Sequence, residues 1–441
     1  MMNTDGLIQR IEDRFPGFGL NKRQEIHRLV VEIQRRDRTG VEEVFSDIPL
    51  GLPFSTVKAL LLKRRYPELT GRGIKIQETF SAFDVDPAHR VPLESPRPFS
   101  PKKIYVERGE ENCDLVKRIA KMFPQAGLDV IDSFKFFTAN KRLSIPDYNR
   151  RCDQVFVVRE RHDFFKACPC SPGVVGCGYH NANLGFGCPY ECSYCFLQNY
   201  TNTPGIIFPS NLDDFFDAFT RYKRSVRVGS GEMTDSLVFD HITEFSPRIV
   251  EAFQAHPESI FEFKTKSAQV DLLLDVPSAW NIVVAWSVNP SQIVSEEEHG
   301  TATLEERLEA AARCASHGYR TAFHFDPIMY YDGWAGDYAF VVERIFEEVP
   351  KESIAWISLG TLRMTKEQKK MIENRFPDTT ILNTELLTRA DGKIRYHETV
   401  RRDIYSTMGS LIRERSRKTP LYLCMETADM WRSLGMTWTW N

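Results

Sequence analysis

Along the first 85 residues the apolar positions recur at helical spacing: Ile8, Ile11 and Phe15, then Ile26, Leu29, Val30 and Ile33. A further helix carries Val57, Leu60, Leu61 and Leu62, with Phe54-Ser55-Thr56 read as its cap. Charges alternate through this segment, as on a solvated helical face, and a helical DNA-binding accessory is the second reading. Five prolines between Pro87 and Pro101 read as a linker. Beyond it the period changes. Lys103 to Val106 and Asp129 to Ile131 read as strands around a helix from Asp114 to Phe123. Later, strand-like stretches at Val226–Gly229, Phe261–Lys266, Ile282–Ser287, Arg320–Phe325 and Ser353–Leu359 alternate with helical ones. The clearest of those helices runs from Leu304 to His317 and stops at Gly318.

Strand–helix alternation at this pitch implies a parallel sheet, and about six βα units favour a partial (βα)6 barrel over an eightfold one. The fold class is therefore α/β. The expected organisation is a helical segment over 1–86, a Pro-rich linker over 87–101 and a small α/β unit over 102–150. The partial barrel follows over 151–385, and a basic, hairpin-containing region over 386–441 ends the chain. Active sites of such barrels lie at the carboxyl ends of the strands.

Composition narrows the class. The 441 residues carry 42% hydrophobic and 12% aromatic residues, enough for a sizeable core. A formal charge of −3 does not support a globally basic nucleic-acid binder, although a local basic face remains open. The amino terminus lacks the features of a signal peptide, and no apolar run reaches the length of a membrane span. A cytoplasmic protein without membrane association is expected. Its ten cysteines then point to metal or redox roles before disulfides.

Three of these cysteines, Cys188, Cys192 and Cys195, form a C-x3-C-x2-C loop. Such a loop can hold three corners of a [4Fe–4S] cube, which usually takes four thiolates, and leaves one iron for another ligand. A structural zinc loop is the alternative, although zinc more often takes two C-x2-C pairs or Cys/His mixtures. Candidate ligand-binding residues sit at the strand ends. Gly229-Ser230-Gly231-Glu232 allows close backbone approach beside a carboxylate that can accept hydrogen bonds from an ammonium group. Lys264 and Lys266 share one strand face, with Thr265 opposite. Ser287 and Asn289 could bind a ribose or carboxylate, or form the turn before Pro290. His324, Asp326 and Arg363 could line a pocket or serve as core histidine and ion pairs. Upstream, Cys168, Cys170, Cys177 and His180 could bind a second metal, an unusual spacing for zinc. Cys113, Cys152 and Cys314 read as ordinary thiols, and Cys424 as one that could return to the barrel mouth. The stretch from Arg389 to Lys418 is locally basic beside Tyr396 and His397, which suits either nucleic-acid contact or a solvated helix.

The loop Gly187-Cys-x-x-x-Cys-x-Tyr-Cys-Phe-Leu-Gln198 resembles that of radical S-adenosylmethionine enzymes, and of the spore photoproduct lyase family in particular. The likeness extends to Thr234-Asp235, Asp240-His-Ile-Thr243, Thr265-Lys266, Trp286-Ser-Val-Asn289, Pro327-Ile328 and Gly333-Trp334, roughly from residue 100 onwards. The resemblance implies a [4Fe–4S] cluster on Cys188, Cys192 and Cys195, and S-adenosylmethionine held by Glu232, Lys266, Ser287 and Asn289. It implies a 5′-deoxyadenosyl radical that abstracts hydrogen from a methylene-bridged thymine dimer in DNA, the dimer first leaving the stack. A reductant such as flavodoxin or ferredoxin would be a partner. Tyr194, Glu232 and Cys424 are the catalytic candidates. The family's hydrogen-donating cysteine aligns with Glu232, and the tyrosine after the third cysteine is Phe196 here. A carboxyl O–H is a poor hydrogen-atom donor beside a thiol, so either Cys424 or Cys177 substitutes or the chemistry differs altogether. The alternatives are a radical enzyme acting on a peptide, nucleoside or small molecule, and a zinc-stabilised, non-catalytic nucleic-acid-binding protein.

Overall fold

The amphipathic spacing of the amino-terminal segment is realised as four helices, Thr4–Arg14, Leu20–Asp37, Val41–Ser46 and Phe54–Arg65, in a computed structural model. The structure describes residues 4–65, 85, 90–139, 143–161, 164–200, 203–222, 226–384, 386–389 and 391–437. The rest of the expected helical segment and the first residues of the linker lie outside these, and 90–101 has no regular structure. The helices bury Ile11, Phe15, Ile26, Leu29, Val30, Ile33, Val57 and Leu61 in one core. The last helix takes in the whole expected cap: the Pro53 carbonyl accepts from the Thr56 and Val57 amides, so Phe54, Ser55 and Thr56 are helical.

By Cα packing the chain forms two compact units. One comprises Met1–Pro92, Met329–Trp334 and Thr361–Ile404, the other Leu93–Ile328, Ala335–Gly360 and Tyr405–Asn441. In the first unit the turn foreseen around Asp391-Gly392 joins strands Leu386–Thr388 and Ile394–Tyr396, with Arg363–Met364 pairing alongside. Gly392 has φ +75°, the left-handed conformation that favours glycine there.

The second unit contains two parallel sheets. The smaller has the order Gly127–Ile131, Lys103–Glu107, Gln154–Val158, Ile206–Pro209. Its last two strands precede and follow the three-thiol loop in sequence. The helix Asp114–Met122 covers it with Leu115, Val116 and Ile119. The larger sheet is the half-barrel. Its order is Leu421–Leu423, Ile354–Thr361, Arg320–Ile328, Ile282–Ser287, Ile260–Thr265, Arg227–Gly229, Tyr179–Ala182, Phe165–Ala167. Ile282–Ser287 and Ile354–Thr361 are buried at every position, as expected of parallel strands covered on both faces. Five strands match the expected stretches, and Tyr179–Ala182, just ahead of the three-thiol loop, supplies the sixth unit. Leu421–Leu423 and the antiparallel Phe165–Ala167 are additional edges that the sequence pattern did not reveal. The loop carrying Cys170 and Cys177 runs from one edge to the segment after the other, where Val174 bridges Thr427 and the Val175 amide donates to Glu426 O at 2.9 Å.

The helix Leu304–Ser316 begins with a reciprocal cap: Thr303 Oγ1 accepts from the Glu306 amide, and Glu306 from that of Thr303. This fixes the turn that presents Arg307 to the barrel.

Candidate active site

The three thiols lie on one loop whose backbone is held from beneath by a buried arginine. Arg151, 1% exposed, donates to the carbonyls of Cys188 at 2.8 Å and Tyr190 at 2.8 Å and to the Glu191 carboxylate at 2.6 Å. Gly187, at φ +91°, turns the chain into the loop, and its amide donates to Met233 O. Glu191–Cys192 then pairs antiparallel with Glu298–His299. Cys192 is buried, Cys188 and Cys195 partly so, and none of the ten cysteines is in a disulfide. Burial, then the nearby Glu298 and Cys195, push the Cys192 thiol up to about 12 although Lys266 opposes this. No group of three or more His, Cys, Asp or Glu among the described residues is gathered tightly enough for a single metal ion. In a four-iron cube each thiol binds a different iron, so a loop of three thiols leaves one iron for another ligand.

Beside the loop four side chains, from two strand ends, the loop itself and a helix, meet on one buried carboxylate. Glu298 accepts from Asn289 Nδ2 at 2.7 Å, Lys266 Nζ at 3.1 Å, Arg307 Nη2 at 2.7 Å and the Tyr194 hydroxyl. Lys266 Nζ also donates to Tyr194 Oη at 2.5 Å and lies 3.8 Å from Cys192 Sγ. Tyr338 Oη donates to Asn289 Oδ1 at 2.7 Å, and Arg307 Nη1 to Ser287 O at 2.8 Å. Burial opposes the charge on Glu298, but Lys266 and Arg307 outweigh it and hold the carboxyl at about 2. Two cations on one anion leave a net positive charge at the thiol loop. That excess works against the rise of the Cys192 thiol and favours an incoming carboxylate.

Of the residues singled out in the sequence, Tyr194, Lys266 and Asn289 are thus brought together, and Ser287 joins through its carbonyl. Thr265 faces the other way, its Oγ1 donating to Asp235 at 2.6 Å; Asp235 also takes the Lys266 amide at 2.7 Å and so holds the strand end. Glu232 is not among the partners of this network. Its neighbours are Lys264, Cys168 and Tyr179, and burial pushes its carboxyl up with only Lys264 opposing. Cys168 and Cys170 lie with their sulfurs 3.9 Å apart, and Cys424 is close enough to Cys168 to act on it electrostatically. Arg363 belongs to the other unit, where it donates to Thr361 O.

His324 is a core residue. It bonds Ser358 Oγ at 2.6 Å and Glu262 Oε1 at 2.5 Å, and Glu262 in turn takes Arg227 at 2.7 Å. Arg227 and His324 overcome the burial of Glu262 and hold it at about 2. Both glutamates have folded values below the ordinary 4.5, so their stabilisation is complete above 4.5 and is lost as pH falls towards 2. Each shift corresponds to about 3 kcal/mol. Acid titration followed by circular dichroism is expected to show the second unit unfolding between these limits; unchanged stability down to pH 2 would contradict the pairing.

The basic stretch is largely spent internally. Arg395 pairs with Asp391, Arg401 donates to Tyr396 O, Arg402 pairs with Glu398, Arg413 closes its helix at Arg417 O and Thr419 O, and Arg415 pairs with Glu343. Tyr396 is buried, so it offers no face for stacking bases. Arg151, Arg307, Asp235 and Glu298 carry the site's geometry yet escaped the sequence reading. Only Asp235, inside the family-like Thr234-Asp235 pair, had a signal.

A family profile described as spore photoproduct lyase matches residues 99–412, well over half of the chain. The chain belongs to the spore photoproduct lyase family. It is 26% identical over 337 residues to the spore photoproduct lyase of Geobacillus sp. (strain Y412MC61), covering 72% of this chain and 96% of that one. To the Bacillus subtilis (strain 168) lyase it is 25% identical over 299 residues, 64% of this chain and 84% of the relative. Among solved structures, a spore photoproduct lyase complexed with dinucleoside spore photoproduct superposes with a TM-score of 0.62 at 24% identity, over 75% of this chain and 100% of the other. Spore photoproduct lyases are radical S-adenosylmethionine lyases that use a [4Fe–4S] cluster. As a family member this protein is an enzyme of that class. Among the described residues no helix is long and apolar enough to cross a membrane.

Proposed function

We propose that this enzyme restores two thymines from a methylene-bridged thymine photolesion in DNA. The observation that carries the reading is the network of Lys266, Arg307, Tyr194 and Asn289 around Glu298, set against Cys192, a positively biased cradle beside a three-thiol loop. The relatives are named as spore photoproduct lyases, and a solved one holds the dinucleoside lesion, which supports the substrate class. When bound, a reduced [4Fe–4S] cluster carrying S-adenosylmethionine supplies the 5′-deoxyadenosyl radical for hydrogen abstraction.

The chain's own residues do the rest. Cys188, Cys192 and Cys195 are the cluster ligands, and Arg151 keeps their loop in shape. Lys266 faces the ligand carboxylate, with Tyr194 and Glu298 fixing the ammonium in place. We assign Asn289 and Ser287 to the same ligand's other polar groups; Glu232 stands outside this network. Cys424, at the end of the edge strand, is the thiol we assign to returning a hydrogen atom to the product radical, since Glu232 cannot. A flavodoxin or ferredoxin of the cytoplasm is the proposed electron source.

The test is anaerobic reconstitution followed by dithionite and S-adenosylmethionine, with 5′-deoxyadenosine as the readout, repeated on DNA carrying the lesion. Thymine restoration is expected, and Cys424→Ala is expected to shift the product distribution while 5′-deoxyadenosine still forms. Radical initiation without thymine restoration would remove the repair reading and leave the peptide, nucleoside or small-molecule alternative. No 5′-deoxyadenosine from protein with a verified cluster would remove both.

A further inference from the structure

The half-barrel holds a second polar patch that the network above does not use. Tyr179–Ala182 and Arg227–Gly229 are parallel neighbours, with Tyr179 opposite Arg227 and Asn181 opposite Gly229. Residues two apart on a strand share a face, so Tyr179 and Asn181 point to the same side. A Cβ on Gly229 would overlap Tyr179 Oη. The missing side chain therefore lets the phenol lie across the neighbouring strand, next to Asn181. Glu232 follows three residues after Gly229, close enough for its charge to act on the Tyr179 hydroxyl.

Three atoms here are buried and have no hydrogen-bond partner: Tyr179 Oη, Asn181 Oδ1 and Glu232 Oε2. Asn181 is only 5% exposed. Buried polar groups are nearly always paired, because leaving one unpaired forfeits its hydration for nothing. Thr265, Asp235, His324 and Ser358 elsewhere in the barrel all have partners. Tyr179 and Asn181 on one strand and Glu232 three residues past the end of its neighbour mark a place prepared for a ligand that brings its own donors and acceptors.

Resting on the repair reading above, we propose that Tyr179, Asn181 and Glu232 read the imide edge of a pyrimidine turned out of the stack. That edge presents carbonyl, N–H, carbonyl in a row. Asn181 Oδ1 accepts the imide N–H, the Tyr179 hydroxyl donates to one carbonyl, and the Glu232 carboxyl, in its protonated form, donates to the other. Burial favours the protonated state of both Tyr179 and Glu232. A base with an exocyclic amine places a donor where the imide has an acceptor, and so leaves both partners unsatisfied. The subsite therefore selects thymine-like rings.

The experiment measures binding of a dinucleotide carrying the methylene-bridged thymine pair to full-length, cluster-loaded protein with S-adenosylmethionine but no reductant, so that no turnover occurs. The second probe is the same dinucleotide methylated at the imide nitrogens. Methylation is expected to weaken wild-type binding about 10- to 100-fold, the effect of leaving a buried polar group unpaired. Asn181→Leu is expected to weaken the unmodified probe to a similar degree and to make methylation inconsequential. Tyr179→Phe, which removes only the hydroxyl, should weaken the unmodified probe while keeping the methylation effect. Both variants should unfold at the wild-type temperature or higher, because each removes an unpaired buried atom; a purely structural role would lower it. Equal binding of both probes by the wild type, or the full methylation effect persisting in Asn181→Leu, overturns the subsite and leaves the repair reading standing. Failure of the wild type to bind the lesion at all overturns the repair reading and this subsite with it.

Discussion

Replacing Cys192 by alanine is expected to leave the protein folded but almost free of iron and unable to form 5′-deoxyadenosine. Cys192 is the buried member of the three-thiol loop, on the short strand that pairs with Glu298, and Lys266 Nζ lies 3.8 Å from its sulfur. A cube that already has one iron open to an outside ligand would retain only two protein thiolates. Losing residues behind metal ligands costs about 10- to 100-fold in affinity or activity, so losing a ligand itself should exceed that range. The loop does not depend on the thiol for its shape, because Arg151 and the Glu298 pairing hold the backbone. Iron per chain after anaerobic reconstitution is the measurement, with circular dichroism as the folding control. Wild-type iron content in Cys192→Ala would show that the cluster is not built on this loop.

The second large effect is on stability. Arg227→Met should cost about 3–5 kcal/mol, the range found when one member of a buried ion pair is removed. Arg227 and Glu262 are both fully enclosed, and the guanidinium donates at 3.1 and 2.7 Å to one carboxylate oxygen and at 3.0 Å to Tyr422 Oη. It also lies 4.0 Å from the Trp356 ring centre, so its flat face is packed as well as its edge. Methionine fills much of the same volume but leaves Glu262 with His324 alone. Urea unfolding of the single variant, and of the double variant Arg227→Met with Glu262→Gln, separates charge from packing. The double variant should recover part of the loss. A single variant within about 1 kcal/mol of the wild type would mean that the pair is not buried as described.

These two predictions concern different layers of one barrel. Arg227, Glu262 and His324 form a closed, satisfied set inside it, whereas Lys266 and Arg307 against the single Glu298, with Tyr194 and Asn289, leave a positive excess beside the thiol loop. Only the second set has charge to spare for a ligand.

The sequence alone determined the features governed by short-range periodicity and spacing. Helical spacing identified the amino-terminal helices, alternation of strands and helices identified the half-barrel, and the C-x3-C-x2-C interval identified a three-thiol loop. Each is set within a few residues, where backbone geometry relates spacing directly to shape. Tertiary structure alone decided which polar groups meet. Glu298 sits in the run Ser295-Glu-Glu-Glu-His299, which reads as a solvated face, yet it is the buried hub of the site. Arg307, one arginine of an ordinary capped helix, is turned inward to neutralise it, and Arg151 reaches the cluster loop from 37 residues away. The basic stretch after Arg389 showed the reverse, its arginines consumed by pairs and helix ends. A charge in sequence carries no record of whether water or a counter-ion will surround it; only burial and distance in the folded chain settle that.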